Sequence, residues 1–350
     1  MQNKERLNTL DIAKGIGIIF VVIAHVNYMP ALLTPIYSFH MPLFFILAGV
    51  VFNKEKFQTF RAFIKRRWET IIQPYLFFSI LAIGYVFVSD QLFDAAKDLS
   101  PEEYIEAFVQ IFLAQGSAGV LDPPLWFIPC LLAVEIMYFF LADVKLIFRI
   151  PMCVALTGAG WLLESGLLEF DNTLLPWSLD SALFAICFYA TGNIISPYLI
   201  KTIKEIEASP KKLTICLCIL LSAILIWIPL MLANGKITLG SKILNNGFLL
   251  YLTGVLGTIA ILSVSILADK CKFLTFLGKN TFCIMSVHYI YRKFTLPKYY
   301  TWLGIPLYDR EVFVETIIPF FVVFLFSVLS VLVYNKLQSM FSEGVRCRVR

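Results

Sequence analysis

Long apolar segments recur along the whole chain, and this feature constrains the fold more than any other. A segment of this kind spans the roughly 30 Å of hydrocarbon in a bilayer when it forms a helix. Ten such segments can be placed, near residues 9–28, 36–53, 71–89, 125–142, 150–165, 178–199, 213–232, 246–267, 281–294 and 313–335. The sequence therefore predicts an all-α polytopic membrane protein with about ten transmembrane helices.

The composition supports this class and leaves no room for a soluble domain. Hydrophobic residues make up 59% of the chain and charged residues 15%, with a mean hydropathy of +0.79; soluble domains carry about 25% charged residues. The longest stretch between spans, 90–124, includes PEEYIEAFVQIFLAQ, which has the spacing of an amphipathic helix. We therefore expect residues 1–350 to form a single membrane domain.

Basic residues predict the orientation of the helices. With a cytoplasmic N-terminus, 22 of the 29 lysines and arginines lie at the cytoplasmic side. Segment 90–124, which this orientation places outside, is acidic, with Asp90, Asp94, Asp98, Glu102, Glu103 and Glu106. The positive-inside rule then places both termini in the cytoplasm. Attraction to the cytoplasmic leaflet accounts for the net charge of +5, so no nucleic-acid partner is expected.

The first span carries two ionisable residues, Lys14 and His25, where a membrane helix is normally apolar. They are eleven residues apart, so they share a helical face and are separated by roughly 16 Å along the axis. An ionisable group costs about 2.5 kcal/mol or more at the bilayer centre and is kept only where it faces protein or water. Both residues are therefore functional candidates that face one interior.

Three further polar residues lie within predicted spans: His40, His288 and Glu135. On the predicted topology, His40 lies about one turn inside the outer start of the second span, level with His25, so the two histidines can share a pocket. A hydrogen bond between helices is the alternative role for each histidine. Glu135, roughly 13 Å below Trp126 by helical rise, is expected either to tether a neighbouring helix or to line a reaction path. Trp126 itself is most simply an interfacial aromatic residue.

The eight cysteines give no indication of disulfides or of a metal site. Most lie within or beside apolar segments, where cysteine acts as a small hydrophobic residue. Cys216 and Cys218 are too close together, in too apolar a setting, to suggest metal binding. No metal is therefore predicted.

Five sequence blocks, taken in order, resemble the membrane-bound acyltransferase 3 family. They are LDIAKGIGIIFVVIAH, FHMPLFFILAG, FIKRRWETIIQPY, LWFIPCLLAVE and LGKNTFCIMSVH. The resemblance extends over essentially the whole chain and is greatest to fucose 4-O-acetylase-like proteins and exopolysaccharide O-acetyltransferases. Two departures concern substrate details: Ala48 stands where the family usually has serine, and Met285 where tyrosine is common.

The resemblance implies transfer of an acyl group, usually acetyl from acetyl-CoA, to a sugar hydroxyl at the outer face of the membrane. Acetyl-CoA is made in the cytoplasm and carries phosphate charges, which Lys14 is placed to meet from the cytoplasmic end of its helix. Arg66 and Arg67 lie at the same leaflet, and guanidinium groups suit phosphates. We expect at least one of these arginines to hold the nucleotide; the alternative is that the basic cluster only sets the topology.

His25 is the predicted catalytic group, because imidazole has a reference pKa near 6.5 and can take a proton from a sugar hydroxyl at neutral pH. It acts either as a general base or as a nucleophile that carries the acetyl group. The sequence does not separate these routes. His40, His288 and Glu135 are expected to orient the base or the acceptor.

Two other classes compete with the enzyme. A transporter or flippase for a glycan precursor or organic anion also uses buried lysine, histidine and glutamate, whereas a structural or sensory protein leaves Lys14 and His25 unexplained. Within the enzyme class, a bacterial plasma-membrane location and a surface polysaccharide or lipid-linked glycan acceptor are expected. The sugar, its hydroxyl, the acyl group and the oligomeric state stay open.

Overall fold

The computed structural model describes residues 7–26, 30–93, 100–114, 123–164, 175–237, 239, 245–303 and 317–348. Within these ranges the chain is helical, with no β-strand. In chain order the helices are α1 (Asn8–Val26), α2 (Pro30–Tyr37), α3 (His40–Val51), α4 (Phe60–Arg67), α5 (Gln73–Phe93), α6 (Pro101–Leu113), α7 (Phe127–Leu141), α8 (Leu146–Glu164), α9 (Leu179–Ala208), α10 (Lys212–Asn234), α11 (Gly247–Leu267), α12 (Lys272–Lys279), α13 (Thr281–Leu303) and α14 (Ile318–Arg348).

The predicted all-α polytopic architecture is confirmed. Among the described residues, nine helical segments are long and apolar enough to cross a membrane, with α2–α3 and α4–α5 each counted as one segment. The predicted span 281–294 falls on α13, which is helical but is not among these nine segments. It is more polar than they are, because Arg292, Lys293 and Lys298 lie in its second half. Parts of three predicted spans, residues 27–28, 165 and 313–316, lie outside the described residues.

Helix α1 lies at the centre of the bundle, where it packs against α3, α11, α12 and α13. Its contact with the short helix α12 is close because glycines meet there. A Cβ on Gly15 would lie 2.2 Å from the carbonyl oxygen of Leu274, and one on Gly278 would lie 1.6 Å from that of Asp11. Only glycine allows this approach, and the approach places the α12–α13 junction beside Lys14.

The helices divide into a buried group and a peripheral group. More than half of the most apolar stretch is buried inside the protein in α1, α2–α3 and α7. Less than a fifth of it is buried in α8 and α10. Leu225 on α10 is 76% exposed and Ile147 on α8 is 73% exposed. An aliphatic surface of this kind is what a bilayer accommodates, so α8 and α10 lie at the lipid boundary.

The amphipathic helix expected in the loop between spans is also present, as α6. Ser100 caps it through a hydrogen bond to the backbone of Glu103, and the Glu103 carboxylate accepts a hydrogen bond from the Ser100 backbone in return. Ala107 and Ile111 are its buried residues. The Tyr75 hydroxyl on α5 donates to the Ile111 carbonyl oxygen over 2.8 Å, so α6 packs back along α5.

Candidate functional site

A cavity of about 670 Å³ lies between α1, α2, α3, α7 and the α12–α13 pair. Lys14 lies on its wall near the start of α1, and His25 lies on the same wall near the end of that helix. Helix α13 runs alongside in the same direction, with Thr281 in the wall near its start and Arg292 further along. The cavity therefore extends along most of the length of a membrane-spanning helix.

One face of α1 forms the cavity wall. Lys14, Ile18, Val21 and His25 lie on it at intervals of four, three and four, which is the repeat of a helix face, and Ala24 lies beside them. The Lys14 ammonium group lies 4.0 Å from the Asp11 carboxylate, one turn earlier, and the Lys14 side chain is 24% exposed. The ion pair with Asp11 thus stabilises the Lys14 side chain where it borders the cavity.

The backbone fixes the proton position on His25. Its Nδ1 atom lies 2.8 Å from the Val21 carbonyl oxygen. A carbonyl only accepts hydrogen bonds, so Nδ1 carries the proton in the neutral ring and Nε2 keeps a free lone pair. The lone pair is what a general base or a nucleophile requires. His25 therefore has the tautomer that both predicted routes need.

The other two histidines are close to His25, but only one of them lines the cavity. His40 is in the cavity wall and bonds through Nδ1 to the Ile36 carbonyl oxygen at 2.8 Å. The ring of His288 packs edge-on against His25 with centroids 5.0 Å apart, and its Nδ1 bonds to the Ile284 carbonyl oxygen. His288 is fully buried, and its Nε2 has no hydrogen-bond partner among the described residues. The three rings thus form one cluster with His25 between the cavity and His288.

Glu135 lies outside the cavity wall, in a buried ion pair with Arg67. The distances are 2.6 Å from Arg67 Nε to Glu135 Oε2 and 3.0 Å from Arg67 Nη2 to Glu135 Oε1, so the contact is made at two points. The guanidinium group also lies over the Phe63 ring, and the Tyr189 side chain borders the carboxylate. Of the two roles predicted for Glu135, the pair supports the tether, here between α4 and α7.

Arg66 is placed differently from its neighbour. Its side chain is 61% exposed, and it pairs with Glu69 at 3.5 Å on the next turn of the same segment. Neither arginine is among the residues that line the cavity. The expected contact of Arg66 or Arg67 with nucleotide phosphates therefore has no support from the cavity geometry and stays a prediction.

Several cavity residues were not among the candidates taken from the sequence: Lys279, Tyr37, Tyr289 and Arg292. Trp126, taken as an interfacial residue, also lines the cavity. Met285, Tyr289 and Arg292 follow one another at intervals of four and three, so a helical face on α13 was visible in the sequence. The sequence does not show that this face of α13 packs beside α1.

The charges around the cavity are predominantly positive. Its described lining contains the cationic side chains of Lys14, Lys279 and Arg292, and no aspartate or glutamate. Low-dielectric walls strengthen the field of such groups, so the cavity favours an anionic ligand. The Arg292 guanidinium also lies over the Tyr289 ring, with 5.0 Å to its centroid. In the part of the chain that is described, no group of His, Cys, Asp and Glu residues is arranged to hold a metal ion.

The fold and this cavity define a multi-pass membrane protein with an internal polar site. The profile of a family described as acyltransferase domain, of the acyltransferase 3 type, matches residues 7–336. The chain therefore belongs to the membrane-bound acyltransferase 3 family and is an acyltransferase. No curated protein and no solved structure gives a significant match.

Proposed function

We propose that the protein transfers an acetyl group from cytoplasmic acetyl-CoA to a sugar hydroxyl at the outer face of the bacterial plasma membrane. The acceptor in this proposal is a surface polysaccharide or its lipid-linked precursor. The observation that carries the proposal is the single cavity that borders both Lys14 and His25 on one face of α1. A donor from one side and an acceptor from the other can meet within such a cavity.

The donor is held at the end of the cavity that is lined by Lys14 and Lys279. Both ammonium groups attract the phosphates of CoA, and the junction of α12 and α13 brings Lys279 to this end beside Lys14. The separation of Lys14 and His25 along the helix is roughly 16 Å. An extended pantetheine arm covers a distance of this order, which brings the thioester to the imidazole.

His25 performs the proton transfer or carries the acyl group through its free Nε2 atom. In the direct route, Nε2 takes the proton from the sugar hydroxyl, whose oxygen forms a bond to the thioester carbonyl carbon. The carbon–sulfur bond then breaks, and the proton leaves with the CoA thiolate as a thiol. In the stepwise route, Nε2 first bonds to the carbonyl carbon and expels the thiolate, and the sugar oxygen then displaces the imidazole, while the hydroxyl proton passes to the thiolate and gives the CoA thiol. Both routes need the tautomer that Val21 fixes.

The acceptor enters where aromatic side chains surround the cavity near His25. Tyr37, Trp126 and Tyr289 line it there, and His40 packs against the Tyr37 ring. Rings with a polar tip suit a sugar, which has apolar C–H faces and polar edges. The positive charge of Arg292 at this end favours the negative charge that develops on the carbonyl oxygen during transfer.

The first test compares O-acetyl groups on surface polysaccharide by mass spectrometry and NMR. Cells carry the wild-type chain, no chain, or His25→Ala, and membrane insertion of the variant is checked by immunoblot. Ester loss in the last two strains, with the glycan still displayed, supports the proposal. A fully acetylated glycan in cells with inserted His25→Ala overturns the role of His25.

The same cells separate the enzyme from a transporter. A transporter moves its cargo without making an ester, so its loss removes the glycan from the surface rather than its acetyl groups. Purified protein in nanodiscs with radiolabelled acetyl-CoA gives the direct comparison. An acyltransferase releases CoA and forms an oxygen ester, whereas a transporter leaves the thioester intact.

A further inference from the structure

A second cavity of about 470 Å³ lies on the other side of α1 and α2, and its lining is almost wholly apolar. Phe20 and Ile23 of α1, Ile224 and Trp227 of α10, and Ile261 of α11 are in its wall. The rings of Phe20, Phe39 and Trp227 form one side, with successive centroids 5.5 and 6.0 Å apart. We call this second cavity the apolar groove.

The apolar groove and the acyl-transfer cavity share a wall, the short helix α2. Leu33 and Tyr37 face the cavity that contains His25, whereas Leu32, Pro35 and Ile36 face the groove. Phe20 and Ile23 precede His25 on α1 by five and two residues, so they lie roughly 8 and 3 Å below it along the axis. On the predicted topology, the groove lies just beneath the level at which transfer occurs, in the outer half of the membrane.

We infer that the apolar groove holds the hydrocarbon tail of a polyprenyl-linked sugar, whose sugar then reaches His25 over α2. This inference rests on the proposed function and specifies its acceptor as lipid-linked. The Trp227 indole N–H donates to the Ser38 hydroxyl over 3.1 Å, so its polar atom is satisfied and its ring face is left to an apolar ligand. The groove volume is within the range of small-molecule sites, about 300–1,000 Å³.

The groove fits this tail better than a membrane phospholipid. A polyprenyl lipid carries one chain, and part of that chain suits an apolar groove of about 470 Å³ with the edge-to-face rings of Phe20, Phe39 and Trp227 on one side. A phospholipid carries two chains, and its headgroup is not the sugar that the proposed reaction acylates. The shared wall with the His25 cavity distinguishes this groove from the general lipid-facing surface of α10.

Two neighbouring residues of α10 provide a matched pair of variants. Ile224 lines the groove, whereas Leu225 is 76% exposed and is not part of its lining. Ile224→Trp fills the groove, and Leu225→Trp adds the same bulk on the lipid side. Full-length protein in nanodiscs is given acetyl-CoA and either a free oligosaccharide or the same oligosaccharide on polyprenyl diphosphate.

We expect Ile224→Trp to lower kcat/KM for the lipid-linked acceptor at least tenfold while leaving transfer to the free oligosaccharide unchanged. Leu225→Trp should match wild type with both acceptors. Equal rates of Ile224→Trp and wild type on the lipid-linked acceptor overturn the inference. A parallel loss with both acceptors also counts against it, because a filled groove has no reason to impair a free sugar.

A measurement on wild-type protein keeps the inference testable if Ile224→Trp does not fold. A diazirine-bearing polyprenyl phosphate is irradiated with the protein, and the labelled peptides are mapped by mass spectrometry. Labels concentrated on 220–227 and 257–264 support the groove, and equal labelling there by a diazirine phospholipid overturns it. If wild type forms no ester with either acceptor, the proposed function fails while the labelling result still reports on the groove.

Discussion

Two polar clusters lie among the apolar helices of this protein, and they are built in opposite ways. The cluster of Lys14, His25 and His40 borders a large cavity, with the free nitrogen of His25 available to a ligand. The pair of Arg67 and Glu135 is closed, because opposite charges meet at two short distances, one of them a hydrogen bond, and neither residue lines the cavity. The first cluster has room for a reacting molecule, whereas in the second each charge faces its own counter-charge.

The difference shows why an ionisable residue in a membrane span is not by itself a catalytic residue. Both clusters carry the desolvation cost of a charge among apolar helices. Glu135 offsets this cost through its partner on another helix, so its presence is explained by packing. His25 has its Nδ1 proton held by Val21, and its ring lines the cavity, so a ligand in the cavity can use its Nε2 atom.

The largest expected effect follows removal of the base or acyl carrier. His25→Ala should lower kcat by about 10²- to 10⁴-fold, the usual contribution of a positioned general acid or base. The purified variant is assayed for release of CoA in the presence of acceptor. Its thermal unfolding in detergent should stay near wild type, because the substitution removes a side chain that borders a cavity. Retention of more than a tenth of kcat would rule out both routes through His25.

A substitution in the Arg67–Glu135 pair should lower the stability of the protein and leave its catalytic properties unchanged. Glu135→Gln leaves the Arg67 charge buried without its partner, which costs about 3–5 kcal/mol. We expect a clear fall in the midpoint of thermal unfolding, with KM for acetyl-CoA unchanged in the protein that remains folded. The double variant Arg67→Met with Glu135→Leu should recover much of this loss, since it buries no charge. A variant with wild-type stability and lost activity would move Glu135 into the catalytic group.

Lys14 should show an intermediate effect on donor binding. Lys14→Ala removes one charge from the end of the cavity where the phosphates bind, and we expect KM for acetyl-CoA to rise about tenfold, which corresponds to 1.4 kcal/mol. Lys14→Arg retains the charge and should recover much of this loss. Lys211→Ala is the matched control, because that lysine is exposed and does not line the cavity. An equal rise in KM in the control would indicate a general effect of surface charge.

The sequence was sufficient for the fold class because membrane helices are specified locally. Each apolar run of suitable length forms its own hydrogen bonds, and this property does not depend on its neighbours. The amphipathic pattern of α6 is local in the same sense, and so is the shared face of Lys14 and His25. These features could be read from spacing alone, whereas the short helices α2, α4 and α12 were not predicted.

The composition of the site was less accessible, because it depends on which helices meet. The approach of Gly15 and Gly278 brings α12 and α13 to α1, and through that contact Lys279 and Arg292 join the cavity. The basic run of Lys65, Arg66 and Arg67 looks uniform in sequence, yet one helical step separates an arginine that is 61% exposed from one that is 18% exposed. Periodicity within α4 cannot assign these sides until the partner helix α7 is known.

The smallest expected effect tests this separation within a single run of basic residues. Arg66→Ala removes an exposed pair with Glu69, and such surface pairs contribute about 0–1 kcal/mol. We expect neither stability nor KM for acetyl-CoA to change measurably, whereas Lys279→Ala should raise KM several-fold because its ammonium group lines the cavity. The two variants each remove one exposed positive charge, so their comparison isolates position from charge. If Arg66→Ala raises KM and Lys279→Ala does not, the phosphates bind beside α4, and the cavity between α1 and α13 admits only the acyl end of the donor.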